Sequence, residues 1–174
     1  MLKRLVIVGL FMVFGCKQTR EKVVSKGVTP KLSYTFSQFY PHDVNAFTEG
    51  LLFYNDQLYE SCGSPEYLPQ TKSVLGPVDL KTGKIDEKII LDKNYFGEGM
   101  AVLRDTIYQL TYKSGNGFVY TYPDYSLIRE VELPTEEGWG LTTQGENLIM
   151  SDGSENLYFL NPGNFQIIKK LRVV

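Results

Sequence analysis

The sequence holds one histidine, two cysteines and one tryptophan in 174 residues. With His42 alone, neither a histidine-rich zinc site nor a Ser-His-Asp triad is easily assembled. Cys16 and Cys62 are too few for a cysteine-based metal centre. The formal charge is −2 and no basic run interrupts it, which excludes nucleic acid as a partner. After residue 30 no segment combines a 3.6-residue apolar period with helix caps. Long apolar runs are also scarce. Leu5 to Phe14 is uninterrupted but too short to span a bilayer as a permanent helix.

What the chain does have is aromatic residues, 12 Tyr and 10 Phe, punctuated by 16 Gly and 8 Pro. That balance favours strands joined by tight turns. Its first residues, "MLKRLVIVGLFMVFGC", give a charged start at Lys3 and Arg4, the apolar run, then Gly15-Cys16. This resembles a bacterial lipobox. The expectation is a lipoprotein signal peptide over residues 1–15, a lipidated Cys16 with a polar tether to residue 31, and a domain over 32–174. Such a protein belongs to the bacterial cell envelope, lipid-anchored to a membrane on the periplasmic or outer-membrane face. Acylation of Cys16 leaves Cys62 as the only thiol and forbids an intrachain disulfide.

One phrase then occurs three times. "EGLLFYNDQLYES" starts at Glu49, "EGMAVLRDTIYQL" at Glu98 and "WGLTTQGENLIMS" at Trp139. The glycines are 49 and then 41 residues apart, and eight residues after each stands Leu58, Ile107 or Leu148. Between the paired apolar stretches lie "YNDQ", "LRDT" and "TQGEN", whose Asn, Asp and Gly tolerate hairpin dihedrals. Each copy continues as a short strand, a turn and an outgoing strand, with turns at Thr82-Gly83, Pro123-Asp124 and Pro162-Gly163. Four-stranded units at this period predict an all-β chain of β-propeller blades. About three blades are present, fewer than propellers use to close. The expectation is an incomplete propeller, from a truncated reading frame, that needs missing C-terminal blades to close. Assembly with another chain, or a different small-sheet fold, is the alternative.

The ordered set "HDVNAFTEGLLFYNDQLYES", "VDLKTGK", "YFGEGMAVLRDTIYQLTYK", "GFVYTY" and "EGWGLTTQGENLIMSDGSENLYFLNP" resembles the plant and bacterial glutaminyl-peptide cyclotransferases. The resemblance runs from about residue 32 to the C-terminus. It implies a five-bladed propeller that converts N-terminal glutaminyl residues of peptides to pyroglutamate, releasing ammonia, with no cofactor required for catalysis. A structural divalent cation in the central channel is a further possibility of the family, with ligands that cannot be assigned. The resemblance also implies site residues. Glu98, in "FGEG", takes the place of the proton carrier. Phe47 and Phe96 match pocket-lining positions, and packing between blades is the competing role for both. Trp139 matches a substrate contact.

Two positions depart from the family pattern. Glu49 replaces a glutamine, and Tyr112 replaces a tryptophan while keeping an aromatic face. A carboxylate at 49 either binds the substrate's ammonium or raises the pKa of Glu98 by like-charge repulsion. Gly97 and Gly99 are expected to let substrate approach the backbone closely. Outside the repeat, "SDGS" at 151–154 reads as a turn, His42 as a loop hydrogen-bonder, and Cys62 as a small half-buried side chain. A non-catalytic propeller lipoprotein that binds peptides or other partners is the second reading, because a fold does not fix a function. The isolated 174-residue product is expected to be inactive.

Overall fold

The computed structural model describes residues 31–173. The expected signal peptide, Cys16 and all but the last residue of the tether lie outside the described residues. The chain divides into two units, at Ser37/Gln38. Of the first, residues 31–37 are described, and they form no regular secondary structure. The rings of Tyr34 and Phe36 meet edge to face there, 5.6 Å apart.

The second unit holds three antiparallel sheets in chain order. The first contains β1 (Phe47–Tyr54), β2 (Gln57–Gly63), β3 (Val74–Asp79), β4 (Lys84–Ile85) and β5 (Ile89–Ile90). The second contains β6 (Phe96–Val102), β7 (Thr106–Tyr112), β8 (Asn116–Thr121) and β9 (Leu127–Glu132). The third contains β10 (Leu141–Gln144), β11 (Asn147–Ser151), β12 (Asn156–Leu160) and β13 (Ile167–Arg172). Each sheet is a meander of neighbouring strands, the arrangement of a propeller blade. The expected single outgoing strand of the first blade is instead two short pieces, β4 and β5, both paired with β3. Gly76 explains the break. A Cβ there would lie 1.9 Å from the carbonyl oxygen of Asp86, so the chain between β4 and β5 bends into space that only glycine leaves.

Turn chemistry repeats as faithfully as the strands. The inner hairpins of the first two blades turn on Asn55-Asp56 and Arg104-Asp105, all four with positive φ, as a two-residue type I′ turn requires. The outer hairpins share a tighter device. Gly83, Tyr125 and Phe165 each adopt positive φ, and their amides donate to Asp79, Thr121 and Asn161 four residues back. Glycine is needed in the first copy, where a Cβ would fall 2.4 Å from the Pro41 carbonyl oxygen. In the others the same geometry turns an aromatic ring inward. Phe165 is buried against Tyr108 and the core between the second and third blades. Tyr125 packs against the core between the first and second, around Tyr59, Leu75, Met100 and Ile107.

Candidate functional site

The inner strands of the first two blades share an irregularity. Along β1 the register with β2 shifts between Thr48 and Gly50, leaving Glu49 as a bulge. Along β6 the register with β7 shifts between Gly97 and Met100, so the extra residue falls at Glu98-Gly99. Trp139 takes the equivalent place ahead of β10. Its amide donates to Ser151 O at 2.9 Å, while Ser151 N donates to Gly140 O at 3.0 Å. A bulge frees a side chain from the alternation of the pleat and re-aims it. Glu49, Glu98 and Trp139 thereby line one cavity of about 600 Å³, together with Phe47, Phe96 and Tyr112. Every cavity residue named from the sequence is brought together there.

Glycines let the three blades approach so closely. A Cβ on Gly99 would lie 2.4 Å from Trp139 O and 2.6 Å from Leu141 N, and one on Gly97 would lie 2.5 Å from Cys62 O. The expectation that these glycines make room for substrate is therefore corrected: neighbouring backbone fills the space. The contact is also bonded, since Gly99 N donates to Trp139 O at 2.8 Å. Ser61 Oγ donates to the carbonyl of Glu98, Gln109 Nε2 donates to Ser61 Oγ at 3.0 Å, and Gly97 N donates to Ser73 Oγ at 3.2 Å. The peptide group that follows Glu98 is anchored at both its carbonyl and its amide, and the one before Gly97 at its amide, which restrains the backbone that carries the carboxylate.

Aromatic rings wall the cavity in a continuous arc. Tyr67 meets Phe47 at 6.4 Å, Phe47 meets Phe96 at 6.0 Å, Phe96 meets Tyr112 at 5.9 Å, and Tyr112 meets Trp139 at 6.3 Å, all edge to face. Such contacts stabilise one another beyond simple area burial. Phe96 rests on Gly63, and the Trp139 indole rests on Gly153, where a Cβ would meet the rings at 2.1 and 2.6 Å. Gly153 has φ 78° and lies in the "SDGS" turn joining β11 to β12, where Asp152 accepts from Ser154 N, Ser154 Oγ and Tyr158 OH. The turn supports the indole. Trp139 itself remains 43% exposed, at the cavity's edge.

Glu98 is 8% exposed. Burial, then the charges of Glu49 and Glu137, push its carboxyl up to about 8. Burial also raises Glu49. Of the two roles left open for Glu49, repulsion toward Glu98 is the second cause, after burial, of that carboxyl's upward shift. Glu137 is differently placed: it accepts from Trp139 Nε1 at 2.9 Å and lies 3.9 Å from Lys113 Nζ. The Lys113 ammonium sits 4.6 Å over the Tyr112 ring.

Sequence reasoning missed Tyr67 and Glu137. The first lies in the long β2–β3 connection, the insertion that makes the first glycine spacing 49 rather than 41. The second stands two residues before the sole tryptophan.

Elsewhere, His42 Nε2 lies 3.0 Å from Glu60 Oε1, which also receives Thr48 Oγ1. Cys62 is fully buried rather than half-buried. Burial first, then the Glu60 charge, push its thiol far up, and a protonated thiol is inert. Among the described residues no group of three or more His, Cys, Asp and Glu side chains is arranged to hold a metal ion.

Comparison with known proteins agrees with this geometry. The family model for glutamine cyclotransferase matches residues 8–174. A glutaminyl-peptide cyclotransferase of Arabidopsis thaliana is 35% identical over 152 residues, 84% of this chain and 46% of that protein. The crystal structure of Myxococcus xanthus glutaminyl cyclase superposes with a TM-score of 0.67 at 30% identity, covering 78% of this chain and 54% of that one. A Neurospora crassa Pan2 WD40 domain shares only the fold, with a TM-score of 0.55 at 11% identity over 72% of this chain and 36% of that domain. The chain spans about half the length of the relatives it matches. It is an all-β propeller chain and belongs to the glutamine cyclotransferase family.

Proposed function

We propose that the protein is a glutaminyl-peptide cyclotransferase in which Glu98 relays protons while an N-terminal glutamine closes on itself. One observation carries the reading: a carboxylate, more than nine-tenths buried and pushed up to about 8, lines the aromatic cavity. A free α-amine has an ordinary pKa of about 7.7–8.0, so proton transfer between the two is close to balanced.

The steps follow from that match. Glu98 takes one proton from the substrate's α-ammonium. The neutral nitrogen attacks the side-chain carbonyl carbon, and a carbon–nitrogen bond forms. Glu98 returns its proton to the side-chain nitrogen and takes the surplus proton from the ring nitrogen, and the carbon–nitrogen bond to the leaving group breaks. Pyroglutamyl peptide and ammonia depart, leaving Glu98 protonated until water removes the proton. Such relay is worth roughly 10²–10⁴-fold in rate. The aromatic arc contributes the rest by holding glutamine in its cyclising shape and thinning the water around it.

Peptides or proteins with an N-terminal glutamine are the proposed substrates. Lipid attachment at Cys16 would place the reaction on exported peptides at the cell envelope. Mass spectrometry of a peptide beginning with glutamine tests the activity. Loss of ammonia from the N-terminal residue is expected, with none from the N-acetylated peptide; equal loss from both would remove the reading.

A further inference from the structure

The cavity contains two carboxylates that the rest of the described chain leaves uncompensated. Neither Glu49 nor Glu98 forms a salt bridge or a side-chain hydrogen bond with a described residue. Glu137, by contrast, is engaged by Trp139 and Lys113. Glu66 and Lys93 also line the cavity, and both are exposed. The two unpartnered groups project from matching bulges on neighbouring blades, and Glu98 is more than nine-tenths buried. Burying like charges together without a cation is costly. Holding a proton on Glu98 reduces that cost and leaves one negative charge, on Glu49, facing the rings of Phe47, Phe96, Tyr112 and Trp139.

One carboxylate beside aromatic faces is suited to an organic monocation, which gains a charge-assisted hydrogen bond and cation–π attraction together. Calcium would require six to eight oxygen ligands, and magnesium a near-octahedral set. Among the described residues no third carboxylate, His or Cys joins Glu49 and Glu98 in a group arranged to hold such an ion.

We propose that Glu49 is the seat of a primary ammonium group inside the aromatic cavity, occupied in the substrate by the free α-ammonium. The identity of that natural ligand rests on the cyclotransferase reading; the ammonium site does not. Glu49 holds the cation in place, and Glu98 beside it, once its own proton has passed to water, receives the proton that the ammonium gives up. The two carboxylates divide binding and proton transfer between them.

Trp139 is the sole tryptophan and lines the cavity, so its fluorescence reports occupancy directly. The full chain is titrated with butylammonium chloride and, separately, with neutral butyramide, at pH 7 and constant ionic strength. A saturable change with the ammonium is expected, at an affinity at least about fivefold above that of the amide. Glu49→Gln should weaken ammonium binding about tenfold, and Glu49→Asp, which keeps the charge, should stay within about threefold of wild type.

Equal binding of ammonium and amide overturns the proposal. So does unchanged affinity in Glu49→Gln, an equal loss in Glu49→Asp, or the same loss in Glu66→Gln, which alters only the general field of the rim. A glutaminyl dipeptide separates this proposal from the previous one. Glu49-dependent ammonium binding without ammonia release would sink the cyclotransferase reading and leave the site. Ammonia release with an unchanged KM in Glu49→Gln would sink the site and leave that reading.

Discussion

Glu98 sits where an ionised carboxylate is poorly tolerated, and its substitution should reveal that. It titrates near 8 in the folded chain against an ordinary 4.5, so folding favours the protonated form. Its stabilising contribution is whole below pH 4.5 and is lost as pH rises through 8. Glu98→Gln, neutral at every pH, should therefore melt like wild type at pH 4 and about 3–6 °C higher at pH 9. Calorimetry across that range checks the sign. Charged groups around Glu98 extend the prediction to the reaction. Glu49 and Glu137 raise it, while Lys113 lies beside Glu137, and Lys93 and Glu66 are exposed residues of the cavity lining. Glu49→Gln removes the larger of the two repulsions. The limb of the pH–rate profile that reports Glu98 should move downward, but not to the ordinary carboxylate range, because burial is the principal cause and remains. At Cys62 burial and a raised thiol predict no reaction with a disulfide reagent in the native protein and full reaction once unfolded.

Strands and turns carry the site by bringing three inner strands together. Gly50 and Gly99 occupy the same place in successive repeats yet face different constraints. A Cβ on Gly50 would find its nearest neighbours at 3.2–3.4 Å, whereas one on Gly99 would strike Trp139 O at 2.4 Å and Leu141 N at 2.6 Å. Gly50→Ala should cost less than about 1 kcal/mol. Gly99→Ala, forcing two backbones apart, should cost about 2–4 kcal/mol and loosen Trp139; urea melts of the pair measure the difference. The repeat itself was legible because glycine, hairpin turn and aliphatic residue recur at fixed offsets. The use of each glycine was not, since a missing side chain does not say whether ligand or neighbouring backbone will fill its space. The split of the first blade's last strand was hidden for the same reason, in Gly76. Tyr67 announced itself only as extra length in one repeat.

Across the three blades, the cavity exists only where their inner strands converge, so no single repeat contains the site. The lining residues were named through the family resemblance, and the convergence of the blades gives the physical reason why they meet. Glu49, Glu98 and Trp139 differ in chemistry but are the same residue of the repeat, and a shared position in a repeat becomes a shared direction once the blades stand side by side. The chain covers about half of each of the two relatives, and the function proposed here is that of the whole protein. Its central claim is that one buried carboxylate carries the proton. The direct test is ammonia release from a glutaminyl dipeptide by the whole protein, wild type against Glu98→Gln, with both variants shown to be folded. The account predicts a loss of at least about a hundredfold in kcat; equal rates would contradict it.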